Sequence, residues 1–201
     1  MSISNEPDVQ LWNENKKNNN CYAFAFNHMR SNAKSKLQPG QLSGLVALTD
    51  DQYNCHDMMA RVLKDNPDVS VIDADDEVMD GHYRVALVLD NHGSNRDYHF
   101  YREVESARWL HKPGSLRVSD VDNSGKAITD PRSADRDYVN GGDEKENFNY
   151  STYCGMFAVP HTTISTLAKP PASQFYFIYF LCLCLVIIII SVWISKNKTF
   201  K

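Results

Sequence analysis

DYHFYREVESARWLHKPG, residues 97–114, decides the reading of this chain. It sets His99 between aromatic residues on one strand-like stretch and places His111 twelve residues later on the next. Just before it, HYRVALVLD (82–90) is an apolar run long enough for a central strand, and DNHGSNRD between the two has turn composition. Residues 82–90, 97–102 and 107–111 therefore predict an antiparallel meander carrying two histidines on adjacent strands. Far upstream, CYAFAFNHM opens with Cys21 directly after a run of asparagines. Asn19 or Asn20 can cap a helix there, since a short amide side chain accepts from the free N–H groups of the first turn. Tyr22, Ala25, Phe26 and Met29 then recur at helical spacing, predicting a short buried helix to about Asn32.

A cysteine at a helix start and a histidine pair on neighbouring strands are the parts of a thiolate nucleophile, its base and the group that orients the base. The positive end of the helix favours the thiolate. The alternatives are a small buried cysteine packed under its helix and a histidine hydrogen-bonded within an aromatic strand. Asp97, two residues from His99 and so on the same strand face, is a rival orienter, as are Asp120 and Asp122.

Between these parts, Thr49-Asp50-Asp51-Gln52 matches a capping box, predicting a helix over 50–65 that ends before Pro67. Within it Cys55 is expected inward and His56 on the surface. Residues 69–72 form a short apolar strand, followed by the acidic loop DADDEVMDG. Asp73, Asp75, Asp76 and Asp80 there lack the glycine and closing glutamate of a calcium loop, so a solvated turn is expected. Residues 115–131 read as two short strands around a DNSG turn, 132–149 as a polar loop, and 156–159 as one further strand. The soluble part is thus α+β, with N-terminal helices packed on an antiparallel sheet.

The 201-residue chain divides into a domain over 1–165, a Pro-containing linker over 166–174, a transmembrane helix over 175–194 and a basic tail over 195–201. Residues 175–194 carry no charge over a length that spans bilayer hydrocarbon, with Tyr176, Tyr179 and Trp193 suited to the interfaces. A lipid bilayer is the partner this implies. Lys196, Lys198 and Lys201 follow that segment, so of 21 basic residues 18 precede it, against 25 acidic ones, a net of −7. No basic face of the kind that neutralises phosphates is visible, which argues against nucleic-acid binding. The five cysteines, at 21, 55, 154, 182 and 184, are irregularly spaced, and the start MSISNEPDVQ lacks the apolar core of a secretory signal. Reduced thiols and a domain on the cytosolic face of a single-pass membrane protein are the expectation. No CxxC or HxxxH spacing calls for a metal, and no cofactor is called for.

Cys21, His99 in DYHFYRE and His111 in WLHKPG resemble the papain-like cysteine hydrolases, particularly the NlpC-like endopeptidases and amidases, in chain order and in the spacing of the two histidines. The resemblance implies a papain-like fold with Cys21 as nucleophile, His99 as base and later acid, and His111 as orienter. It implies that the Cys21 N–H contributes to an oxyanion hole, and that Asn15, six residues before the cysteine, stands near the position of papain's oxyanion donor. The competing class is a non-catalytic tether. The acidic domain on a tail helix is similar in style to virion membrane and minor capsid proteins of large double-stranded DNA viruses. That likeness implies protein partners in a membrane-associated assembly and a place at a virion inner membrane.

Overall fold

The computed structural model describes residues 6–91, 96–139 and 147–161. The segment read as membrane-spanning, with the linker before it and the tail after it, lies outside the described residues; among those described, no helix is long and apolar enough to cross a membrane.

The elements are α1 (Val9–Glu14), α2 (Cys21–Ala25), α3 (Cys55–Asp65), β1 (Ser70–Ile72), β2 (His82–Asp90), β3 (Asp97–Glu105), β4 (Arg108–His111) and β5 (Thr152–Pro160). The strands make one antiparallel sheet in the order β1-β5-β2-β3-β4. The apolar run of β2 lies between β5 and β3 and is buried on both faces. Val85, Leu87 and Leu89 meet the helices, packing with Trp12, Tyr22, Phe24 and Phe100. Ala86 and Val88 meet a second cluster with Tyr101, Trp109, Ile128, Tyr150 and Met156, supplied in part by the segments after β4. Strand alternation thereby splits β3 as well. Tyr98 and Phe100 join the helix-side core, while Tyr101 joins the other and His99 packs its ring against Tyr101 and Tyr150.

Several expected boundaries move. The helix at Cys21 stops at Ala25, because Asn27 takes a left-handed φ of 60° and turns the chain away. The helix predicted over 50–65 is two pieces. The Thr49 capping box opens only a 3-10 turn, Asp50–Gln52, and Asn54 caps α3 separately by accepting from Asp57 N–H at 2.9 Å. The two short strands expected over 115–131 are isolated bridges, His111 with Ser119 and Val121 with Ala127. The strand expected over 156–159 starts earlier, at Thr152. Of the acidic loop, Asp76 accepts from Asp73 N–H within the turn, and Asp75 pairs with Arg132 from the segment after β4.

The expectation of reduced thiols is overturned at Cys55 and Cys154, which form a disulfide across 99 residues. A bulge in β5 makes the meeting possible. Leu87 pairs with Gly155 and Val88 with Tyr153, so Cys154 faces no partner strand residue and packs toward α3. Gly155 supplies the φ of 138° at this bulge, a conformation that residues with a side chain rarely adopt, and Met59 of α3 packs over it.

Candidate active site

The pairing of β3 with β4 begins at Tyr101 opposite His111 and leaves the outer edge of Tyr98–Phe100 unmatched. The start of α2 fills that gap. Asn20 caps the helix by accepting from Ala23 N–H at 3.1 Å, and its amide donates to Leu37 O at 2.8 Å, fixing the entry to the helix from two sides. Cys21 follows, 5 % exposed, with its thiol directed at Tyr98 O at 3.8 Å and the N–H groups of Phe100 and Tyr22 turned toward the sulfur. Cys21 and His99 line the same cavity of ≈ 370 Å³, together with Asn20, Lys36 and Asp97.

The two histidines are joined directly, His99 Nε2 to His111 Nδ1 at 2.8 Å, both rings buried. His111 Nε2 lies 3.0 Å from Val121 O. A carbonyl only accepts, so His111 carries its proton on Nε2 and offers a lone pair at Nδ1. His99 must then donate from Nε2, which leaves the lone pair of its own Nδ1 free. The β4 bridge to Ser119 holds the acceptor carbonyl in place, and Tyr101 stacks on His111 with ring centroids 5.2 Å apart.

Burial sets the charges. It holds His99 well below the usual histidine range, with His111 acting in the same direction, and it brings His111 down to about 4 against the opposing pull of Val121 O. Both rings are neutral near pH 7. Burial pushes the Cys21 thiol up to about 12, and the negative charge of Asp97 adds to this. The thiolate expected from a helix start is therefore absent at rest; α2 has only five residues, and desolvation outweighs its dipole. An uncharged thiol shares a cavity with an imidazole whose tautomer is fixed as an acceptor.

The other expected site residues fall elsewhere. Asn15 ends α1, where its side-chain amide donates to Leu11 O at 3.0 Å and its backbone carbonyl accepts from Asn19; it is not among the residues that line the cavity of Cys21. Asp120 and Asp122 do not touch His99, whose ring is hydrogen-bonded to His111. Asp120 is exposed and pairs through its backbone with Ile128, and Asp122 caps a tight turn by accepting from Ser124 and Lys126. Asp97 is in the cavity but not on the imidazole: its Oδ2 accepts from Tyr150 Oη at 2.6 Å.

One positioning residue has no sequence signal beyond its place in HKPG. Lys112 is fully buried, and its Nζ donates to Lys16 O, Asn19 O and Gly114 O at 2.9, 2.6 and 2.7 Å. It ties the turn before Cys21 to the turn after β4. A lysine beside a Pro-Gly turn reads as a surface charge, so only the structure finds it.

An antiparallel α+β domain with a buried cysteine–histidine–histidine set is the class these features define. The chain belongs to the family of insoluble matrix shell protein 1 of Ruditapes philippinarum, with which it is 33% identical over 124 residues, 60% of this chain and 72% of that protein. No protein-family model matches the chain, and no solved structure does.

Proposed function

We propose that the domain is a papain-like cysteine hydrolase of the peptidase or amidase type. The observation that carries the reading is the relay from Val121 O through His111 to His99, which leaves Nδ1 as the acceptor nitrogen of His99, a residue that lines the same cavity as Cys21. With a thiol held up to about 12, the proton leaves as sulfur attacks, rather than beforehand. His99 Nδ1 takes the Sγ proton, an S–C bond forms to the substrate carbonyl, and the oxygen becomes an oxyanion. The amide C–N bond then breaks and His99 returns the proton to the leaving amine, giving a thioester. Water, deprotonated by His99, attacks the thioester; the S–C bond breaks and the proton returns to sulfur. His111 stays neutral throughout and accepts from Nε2–H of the transient imidazolium. The N–H of Cys21, ahead of the intrahelical bonds, serves the oxyanion.

Residues 175–194 anchor the domain to a membrane in this reading. The Cys55–Cys154 disulfide favours the oxidising side for the domain, against the cytosolic side expected from the thiols, and the three lysines after the segment agree with a cytosolic tail.

The test is turnover of a panel of acylated aminoacyl coumarin amides by the full chain and by Cys21→Ala and His99→Ala. Loss of at least about 10²-fold in each variant is expected, with near-UV circular dichroism unchanged. Equal turnover in Cys21→Ala, or none by the parent across the panel, refutes the hydrolase.

The family relative favours a second reading, a non-catalytic matrix protein whose cysteine–histidine set is structural. Sedimentation separates the two. Self-assembly into insoluble material that survives Cys21→Ala, without amide turnover by the parent, supports the matrix reading.

A further inference from the structure

Asp97 presents a carboxylate to the cavity of Cys21 and His99 and has no ion-pair partner among the described residues. One of its oxygens is fixed by the hydroxyl of Tyr150. Around it the cavity wall is aromatic: Tyr53, Tyr98, Tyr138, Phe148 and Tyr150. The cavity's other formally charged side chain, Lys36, carries its Nζ over Gly114 rather than on Asp97. A fixed carboxylate inside an aromatic wall is the chemistry that recognises an organic cation, through a charge-assisted hydrogen bond on one side and ring faces on the others.

We propose that this cavity binds amide substrates carrying a cationic side chain, lysine- or arginine-like, next to the scissile carbonyl, with the charge seated on Asp97. The proposal rests on the hydrolase reading for the word substrate, but the cation subsite stands on its own geometry. Burial holds the Asp97 carboxyl above the usual aspartate range, against the opposing pull of the Tyr150 hydroxyl, the Tyr98 N–H and the more distant Lys36, and a cation seated on the carboxylate acts against that burial. Because Asp97 and His99 are two residues apart on one face of β3, a cation on the first places the adjoining backbone amide near the second. Neutral residues of the same length lose the charge contact while keeping the aromatic one.

The experiment measures binding to the full chain carrying Cys21→Ala, which removes turnover. The probes are Nα-acetyl-lysine methylamide, its arginine counterpart and the uncharged norleucine isostere. Binding at least about tenfold tighter for the lysine or arginine probe than for norleucine is expected, and the two cationic probes tell ammonium from guanidinium preference. Adding Asp97→Asn, whose amide oxygen still accepts from Tyr150, should erase the difference. Equal affinities, a preference that survives Asp97→Asn, or no saturable binding of any probe overturns the proposal. Cation-selective binding without turnover by the parent leaves the subsite standing and refutes the hydrolase, whereas turnover without charge preference does the reverse.

Discussion

Replacing Cys55 and Cys154 together by serine opens a covalent loop that spans 99 residues. The bond joins the first residue of α3 to the bulge of β5, so it ties the helix layer to a strand inside the sheet. In the chain-entropy treatment a loop of about 100 residues restricts the unfolded ensemble by about 4.7 kcal/mol. For a domain of this size each kcal/mol corresponds to roughly 2–4 °C of midpoint, so the expected fall is roughly 10–20 °C. The assay is thermal unfolding of the full chain followed by circular dichroism, for the parent with and without dithiothreitol and for the double serine variant. The reduced parent and the variant should melt together, well below the oxidised parent. A reduced parent that melts within about 1 °C of the oxidised one refutes the reasoning, since a bond closing so long a loop between separate layers has to act on the unfolded chain. A variant melting far below the reduced parent would show that the serines disturb packing around Met59 and Gly155 instead.

Two further predictions concern the histidine relay. His111→Phe removes the acceptor of His99 Nε2–H and leaves a buried donor orphaned, so turnover should fall by about 10²–10⁴ and stability by about 1–3 kcal/mol. His111→Gln, which keeps an acceptor within reach, should recover part of the turnover, and equal rates in the two variants would remove the orienting role. Acid should destabilise the domain in a defined window. His111 titrates at about 4 when folded and near 6.5 when unfolded, so between those values the unfolded chain binds a proton that the folded chain does not. Stability then falls as pH drops through that window, by roughly 3 kcal/mol for this residue at 1.36 kcal/mol per unit. Asp97 works the other way, because its raised carboxyl takes up a proton earlier in the folded chain than in the unfolded one. Urea midpoints at pH 7.5 and 4.5 measure the sum, and a flat profile contradicts the buried neutral pair.

The meander was legible because β2 is apolar on both faces and β3 alternates, and a period of two puts Asp97 and His99 on one face whatever the rest of the chain does. Cys21 was legible as a helix start through its asparagine cap. What the thiol would do there was not, because its protonation depends on how deeply β3 and α2 bury it, a tertiary quantity. The true cap of α3 was obscured because Thr49 and Asn54 are both caps, the first of a 3-10 turn and the second of α3, so one continuous helix and two pieces share the same opening signal. The disulfide rests on a bulge that no periodicity marks. Lys112 was unreadable for a similar reason: three carbonyl groups from two distant turns make burial of an ammonium tolerable, and none of the three is specified by its side chain.

Burial of Cys21 has a bearing on how the chain reaches its native pairing. Cys21 and Cys55 are 55 − 21 = 34 residues apart, and Cys55 and Cys154 are 99 apart. In an open chain the shorter loop closes more easily, by about 1 kcal/mol from the logarithmic length dependence, and both of its cysteines are made first. Oxidation during synthesis therefore favours the wrong partner. Docking of α2 against the edge of β3, clasped by Lys112, withdraws Cys21 from that competition and leaves Cys55 for Cys154. The same desolvation that slows the sulfur as a nucleophile shields it from its neighbour, so an agent that loosens the clasp exposes the chain to scrambling before it exposes a substrate to attack.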